Sequence, residues 1–191
     1  MERQSADTLP QLTVATDADV PAVVSLINVA FRGRGEDAGW SNKEVYAEGT
    51  RITEDLLRED IAAKPQATLL LWRSAADSLL GCVWLEPEQN GVWYLGTLAI
   101  PPREQNAGLG GKLLAAAENW ARERGATEIR MTVVHLRLPL IEWYKRRGYT
   151  LTEETKPFPY GDTRIGIPKR DDLYFVVLRK RFGNLIASDC S

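Results

Sequence analysis

The stretch from Val92 to Val134 limits the possible folds more than any other part of the chain. A strand-like run, Val92–Ile100, leads into a loop with glycines at 108, 110 and 111. An amphipathic helix follows from about Leu109 to Arg124, is stopped by Gly125, and is succeeded by a second strand, Ile129–Val134. A strand, a helix and a strand in that order close as a right-handed crossover, with the two strands parallel and the loop at the end of the first. Upstream, Ala67–Arg73 and Leu79–Leu85 also read as strands, and the short turns Ser74–Ser78 and Glu86–Gly91 favour an antiparallel meander. Joining the two patterns calls for a mixed sheet.

The remaining elements extend that sheet. Leu12–Ala15 reads as a short strand, and Asp17 or Asp19 can cap a helix whose apolar positions are Val20, Val23, Val24, Ile27 and Phe31. Residues 32–49 open with glycines and charges, although Ser41 and Glu44 have capping-box spacing for a short helix. Thr53 can cap a second helix through Leu56, Leu57 and Ile61 that must end before Pro65. After Val134, a short helix follows Pro139 and ends near Gly148. Two last strands, Thr150–Glu154 and Leu173–Lys180, flank a long loop containing proline and glycine. There is no repeat or interdomain linker in this pattern.

Composition narrows the function classes. A chain of 191 residues with 44% hydrophobic content suits one domain with a substantial core. With 24 basic and 26 acidic residues, no field of one sign points to nucleic acid or an anionic membrane as an obligatory partner. The two cysteines, Cys82 and Cys190, cannot build a disulfide framework or a structural zinc site, and no metal is expected. The polar start, MERQSADTLPQ, lacks the apolar segment of a signal peptide, and no run is long enough to cross a bilayer, so a cytoplasmic location is expected.

The loop Gln105-Asn106-Ala107-Gly108-Leu109-Gly110-Gly111-Lys112 lies between strand and helix, where free amides and the positive helix end can hold a phosphate or pyrophosphate. Its spacing is neither the GxGxxG of dinucleotide-binding folds nor a P-loop; the residual pattern is QxxGxG. Taken alone, it also fits a turn that merely packs closely.

The full stretch YLGTLAIPPREQNAGLGGKLLAAAENWARERGATEIRMTVV, followed by RLPLIEWYKRRGY, closely resembles the two central motifs of the GCN5-related N-acetyltransferases, the GNAT family. The resemblance implies an α/β (α+β) domain with a mixed, mostly antiparallel sheet of about seven strands and about four helices. The implied order is one strand, two helices, three strands, helix, strand, helix and two strands. It would occupy residues 12–182, between a flexible segment, 1–11, and a tail, 183–191. In that family the QxxGxG amides hold the CoA pyrophosphate, which implies the backbone of Gln105, Asn106, Ala107, Gly108, Leu109, Gly110 and Gly111 here, with Lys112 close to the phosphates. Leu98, Ala99 and Ile100 match the segment that pairs with the pantetheine arm, and the amide of Leu98 or Ala99 would face the developing oxyanion. Tyr144 matches the tyrosine that protonates the departing thiolate; a helix aromatic packed beside Leu140 is the structural alternative.

Several positions depart from the family. Arg137 stands where many relatives carry asparagine; it is included among the cofactor contacts and could grip a phosphate, a pantetheine carbonyl or an acidic substrate, or lie on the surface. Tyr94 occupies the place of the glutamate base of some relatives, which leaves the base unassigned. Glu86 and Glu36 are candidate bases but read better as solvated carboxylates, and His135, the only histidine, reads as a structural or rim residue. Trp40, Tyr46 and Arg51, with Phe158, Tyr160 and Gly161, fall in regions that form the acceptor pocket of the family, with aromatic packing as the alternative. Basic residues in the run Lys145-Arg146-Arg147 could reach a CoA phosphate or simply complement the helix end. The implied activity is direct transfer of an acetyl group from acetyl-CoA to a primary amine of a small molecule or peptide. The alternatives are another acyl donor, or a noncatalytic acyl-CoA-binding module. A homodimer is compatible with the family, although no interface is distinct in the sequence.

Overall fold

In chain order the elements are β1 (Leu12–Val14), α1 (Val20–Arg32), β2 (Ala47–Glu48), α2 (Glu54–Ala63), β3 (Thr68–Arg73), β4 (Leu79–Pro87), β5 (Val92–Ala99), α3 (Leu109–Arg122), β6 (Glu128–Val134), α4 (Leu138–Lys145), β7 (Thr150–Pro157), β8 (Ile167–Pro168) and β9 (Tyr174–Arg181). They come from a computed structural model that describes residues 9–32, 46–162 and 166–183. The candidate helix near Ser41 and Glu44, together with Glu36, Trp40 and Cys190, lies outside the described residues.

Seven strands form one sheet in the order β1-β3-β4-β5-β6-β9-β7. Every pairing is antiparallel except β5 with β6, as the crossover connection through α3 requires. The expected mixed sheet and its four helices are both present. One feature was not anticipated: β2 and β8 pair as a separate two-stranded ribbon, too short to leave any alternation in the sequence.

Local chemistry explains where the elements begin and end. The expected cap at Asp17 or Asp19 is displaced to Thr16, whose N–H and Oγ1 both donate to Asp19 Oδ2, at 2.7 and 2.8 Å. Asp19 therefore reaches back to the cap and a short 3-10 turn, Asp17–Asp19, leads into α1. Thr53 caps α2 as expected, accepting from the Leu56 amide at 3.3 Å. Gly125, at φ 90, closes α3, and the Ala126 amide returns to the Ala121 carbonyl at 3.0 Å.

The two faces of the sheet carry different helices. Leu113, Leu114, Ala117 and Ala121 of α3, with Ile141 and Tyr144 of α4, pack with Leu70, Val83, Leu85, Ile129 and Leu178. Val23, Ile27, Ala30 and Phe31 of α1, with Leu57 of α2, cover Leu69, Leu71, Cys82, Trp84 and Ala99 on the other face. Alternation along β3 sends Leu70 to one core and Leu69 and Leu71 to the other, which is why that strand reads as a continuous apolar run.

Candidate functional site

The parallel pair β5·β6 is joined only over Val92–Tyr94 against Glu128–Arg130. Beyond Tyr94, β6 continues along β9 and β5 continues along β4, so the centre of the sheet opens. Along the same part of β5, Gly96–Ala99 spans three steps while its partners Trp84 and Cys82 are two apart. One residue is therefore extra, and Thr97 takes a left-handed φ of 47. A β-branched residue in that region is strained, and such a bulge takes backbone groups out of the ladder.

A cavity of about 210 Å³ occupies the opening. Its walls are the β5 backbone from Tyr94 to Leu98, the β6 residues Met131–Val134, and residues from both faces of the sheet. From the α3/α4 face come Gly108, Gly110, Gly111, Leu140, Trp143, Tyr144 and Arg147; from the other come Phe31 and Arg51. The void thus passes through the sheet between its two helical layers.

At one end lies the start of α3. Gly108 has φ 77, and its carbonyl is the first acceptor in the helix, taking the amides of Gly111 and Lys112 at 3.1 and 3.3 Å. The amides of Leu109 and Gly110 precede that acceptor and have no partner further down the helix. A Cβ at Gly110 would sit 3.6 Å from the Trp143 ring, and one at Gly111 would sit 3.2 Å from Arg147 Nη2. Arg147 itself stacks on Trp143, with its guanidinium carbon 3.6 Å from the ring centroid, and donates to the Trp143 carbonyl at 3.0 Å. A cation, a positive helix end and room left by absent side chains therefore converge on a space suited to phosphate.

Tyr144 lies deeper. It is 7% exposed, makes edge contacts with Trp143 and Tyr149, and lines the cavity. Burial pushes its hydroxyl up to about 12, so it stays a proton donor at neutral pH. Tyr149 differs: its hydroxyl donates to Glu118 Oε1 at 2.9 Å, and Glu118 also accepts from Lys180 Nζ at 2.5 Å. Of the two phenols, Tyr149 is bound into the fold and Tyr144 faces the void.

Arg137, the residue just before α4, is 6% exposed and lines the same cavity. Its Nη2 is buried and has no hydrogen-bond partner among the described residues. Burial lowers its pKa, against the opposing influence of Tyr144 and Tyr46. The surface alternative for this residue is thereby set aside.

The other sequence candidates divide. Leu98, Ile100, Gly108, Gly110, Gly111, Arg51 and Tyr94 line the cavity, whereas Ala99 is buried in the α1 core. Leu109 packs on the main core, and Lys112 is not part of the lining. Gln105, Asn106 and Ala107 form a 3-10 turn ahead of Gly108. Tyr46 donates to the Leu136 carbonyl at 3.4 Å, behind Arg137. Phe158 stacks on Phe175 and Tyr160 bonds the Leu173 backbone, so both serve packing. Glu86 accepts from Lys64 Nζ at 2.6 Å and lies away from the cavity. His135 stacks on Tyr174 at 3.9 Å and is likewise absent from the lining. Sequence reasoning missed Thr97, Phe31 and Phe175 as lining residues and undervalued Arg147. Only the last carried a signal, its spacing of three from Tyr144 on one helix face.

Residues 36–149 match the family model described as the Acetyltransferase (GNAT) family. No curated protein matches the chain. Among solved structures, the chain is similar to a ribosomal-protein-alanine N-acetyltransferase from Brucella melitensis, with TM-score 0.64 and 16% identity over 90% of this chain and 99% of that one. A spermidine N-acetyltransferase chimera from Vibrio cholerae and hSSAT has TM-score 0.65 and 13% identity over 91% and 96% of the two chains. A candidate streptothricin acetyltransferase from Bacillus anthracis str. Ames, in complex with acetyl coenzyme A, has TM-score 0.51 and 17% identity over 63% and 65%.

Proposed function

We infer, from the premise that this chain belongs to the Acetyltransferase (GNAT) family, that it moves an acetyl group from acetyl-CoA directly to an amine held in the cavity between β5 and β6. The observation that carries this reading is the alignment, along one void, of a phosphate-suited glycine turn and Tyr144, a buried tyrosine that lines the void and makes no side-chain hydrogen bond among the described residues. A noncatalytic module that only binds acyl-CoA has use for the first and none for the second.

The residues present fit acetyl-CoA. The amides of Leu109 and Gly110, the positive end of α3 and Arg147 suit the pyrophosphate, and the unpaired backbone of β5 up to Leu98 suits the amide-containing pantetheine arm. Acetyl-CoA supplies an activated acyl carbon and a thiol leaving group. The amide of Leu98 is the β5 donor nearest in role to an oxyanion hole, and the strained bulge at Thr97 holds that stretch out of the ladder. As the C–N bond forms and the C–S bond breaks, Tyr144 gives its proton to the departing sulfur, and the proton lost by the amine passes to water.

No carboxylate or histidine lines the cavity among the described residues, whereas Arg51, Arg137 and Arg147 do. Positive charge at this density disfavours an ammonium ion and so favours the free amine that must attack. The neighbours' names include a ribosomal-protein alanine and spermidine as acceptors, a spread that leaves the acceptor to be argued from this cavity itself.

The decisive experiment replaces Tyr144 by Phe and follows thiol release together with acetyl-CoA binding. Loss of the proton donor should lower kcat by about 10²–10³ while leaving the acetyl-CoA Kd unchanged. Normal turnover by the variant would remove Tyr144 from the mechanism.

A further inference from the structure

Two charged residues are buried in the described structure, and they are treated differently. Glu128 is paired with Arg179 at 2.6 Å and Arg181 at 2.9 Å. Arg137 has no ion pair among the described residues, and its Nη2 is both buried and without a partner. A buried guanidinium without a counter-charge forfeits its hydration and gains nothing in return, so folded proteins seldom keep one unless a ligand completes it.

Its position makes the deficit larger. Arg137 stands at the positive end of α4, makes no side-chain cap, and no acidic residue occupies the first turn of the helix. The lining contains no acid among the described residues.

Acetyl-CoA cannot supply the missing charge at this point. Its anionic groups are phosphates, and the turn suited to them lies beside Trp143 and the Arg147 guanidinium stacked on it, toward the other end of α4 from Arg137. Because the Arg147 guanidinium lies over Trp143, the turn faces Trp143, six residues on from Arg137, which at about 1.5 Å per residue is roughly 9 Å along α4. The pantetheine arm and thioester that lie between are uncharged.

We propose that Arg137 receives a carboxylate carried by the acceptor, so that the substrates of this cavity are amino-acid-like amines. The planar guanidinium matches a carboxylate with two parallel N–H···O bonds. This assigns Arg137 to the acceptor in place of the cofactor contact expected from its motif position, and it rests on the acetyltransferase reading given above.

The test measures CoA release from acetyl-CoA with free amino acids, with their C-terminal amides, and with spermidine as a cationic probe. The wild-type protein should favour carboxylates over the matched amides by about thirtyfold or more in kcat/KM. In Arg137→Met that ratio should fall to within about threefold, and Arg137→Lys should recover part of it, since a point charge attracts a carboxylate without the fork geometry. The acetyl-CoA Kd, measured calorimetrically, should stay within about twofold in both variants. Melting temperatures of the unliganded proteins complete the set: Met should melt at or above wild type, because it removes an unpaired buried charge. If Met does not fold, Lys carries the comparison. Equal rates on acids and amides, turnover of neutral or cationic amines alone, or a rise in acetyl-CoA Kd with an unchanged acid-to-amide ratio would each overturn the assignment while leaving the transferase intact. Failure of acetyl-CoA to bind the wild-type protein would overturn the underlying reading.

Discussion

Tyr144 and Tyr149 show how burial alone does not decide a residue's role. Both are sequestered phenols five positions apart, yet one hydroxyl is committed to Glu118 and the other faces the cavity. Because burial holds Tyr144 up to about 12, it remains protonated through the whole neutral and mildly alkaline range. The kcat/KM profile should therefore rise with pH as the acceptor loses its proton and show no descending limb from Tyr144 below about pH 10. A falling limb near pH 8 in a profile measured with saturating acetyl-CoA would identify a different group as the acid. Tyr144 was legible from its motif position; that its hydroxyl makes no hydrogen bond among the described residues was not, since the partner that Tyr149 uses comes from α3, 31 residues away in sequence.

At the scale of an element, the start of α3 carries a folding role and the binding role proposed for it, and the two can be separated at Gly110. An added Cβ there meets only the Trp143 ring, at an ordinary contact distance of 3.6 Å. Gly110→Ala should thus stabilise the helix by about 0.5–1 kcal/mol while narrowing the space beside the amides. Acetyl-CoA binding should weaken by about tenfold, or roughly 1.4 kcal/mol. Thermal melts and calorimetry on the same variant read the two effects with opposite signs; a variant that binds acetyl-CoA normally would show that the methyl group does not reach the ligand. The glycines themselves were visible in the sequence. What was not visible is that Trp143 of α4 and Arg147, just beyond that helix, complete the other wall of the turn.

Across the whole molecule, the sheet must stay joined at one end of the β5·β6 pair for the other end to open. Glu128 pairs with Val92 at the start of that junction and ties β6 to β9 through Arg179 and Arg181. Burial pushes its carboxyl up, but the hydrogen bonds from Arg181 and Arg179 outweigh this and hold it below its ordinary value of 4.5. A lowered carboxyl pKa contributes stability that is complete above the unfolded value and lost as pH falls through the folded one. Glu128→Gln should cost about 1–2 kcal/mol at pH 7, a figure kept small because Arg181 is largely exposed. The gap from wild type should close as pH drops below 4.5. Urea melts at pH 7 and pH 3.5 measure it, and an equal gap at both would exclude the ion pair as its source.

The sequence by itself determined the order of elements, the parallel crossover inside an antiparallel sheet, and the glycine turn at the head of α3, because each depends on local spacing, turn length or the missing side chain of glycine. Tertiary structure alone decided which groups share the cavity. The opening beyond Tyr94, the extra residue at Thr97 and the burial of Arg137 arise from how strands and helices distant in sequence divide the available partners. That Arg137 has no counter-charge among the described residues can be recognised only once those residues have been placed. The stretch from Val92 to Val134 therefore carried the turn suited to phosphate, while the acceptor class proposed above rests on the surroundings of one arginine outside it.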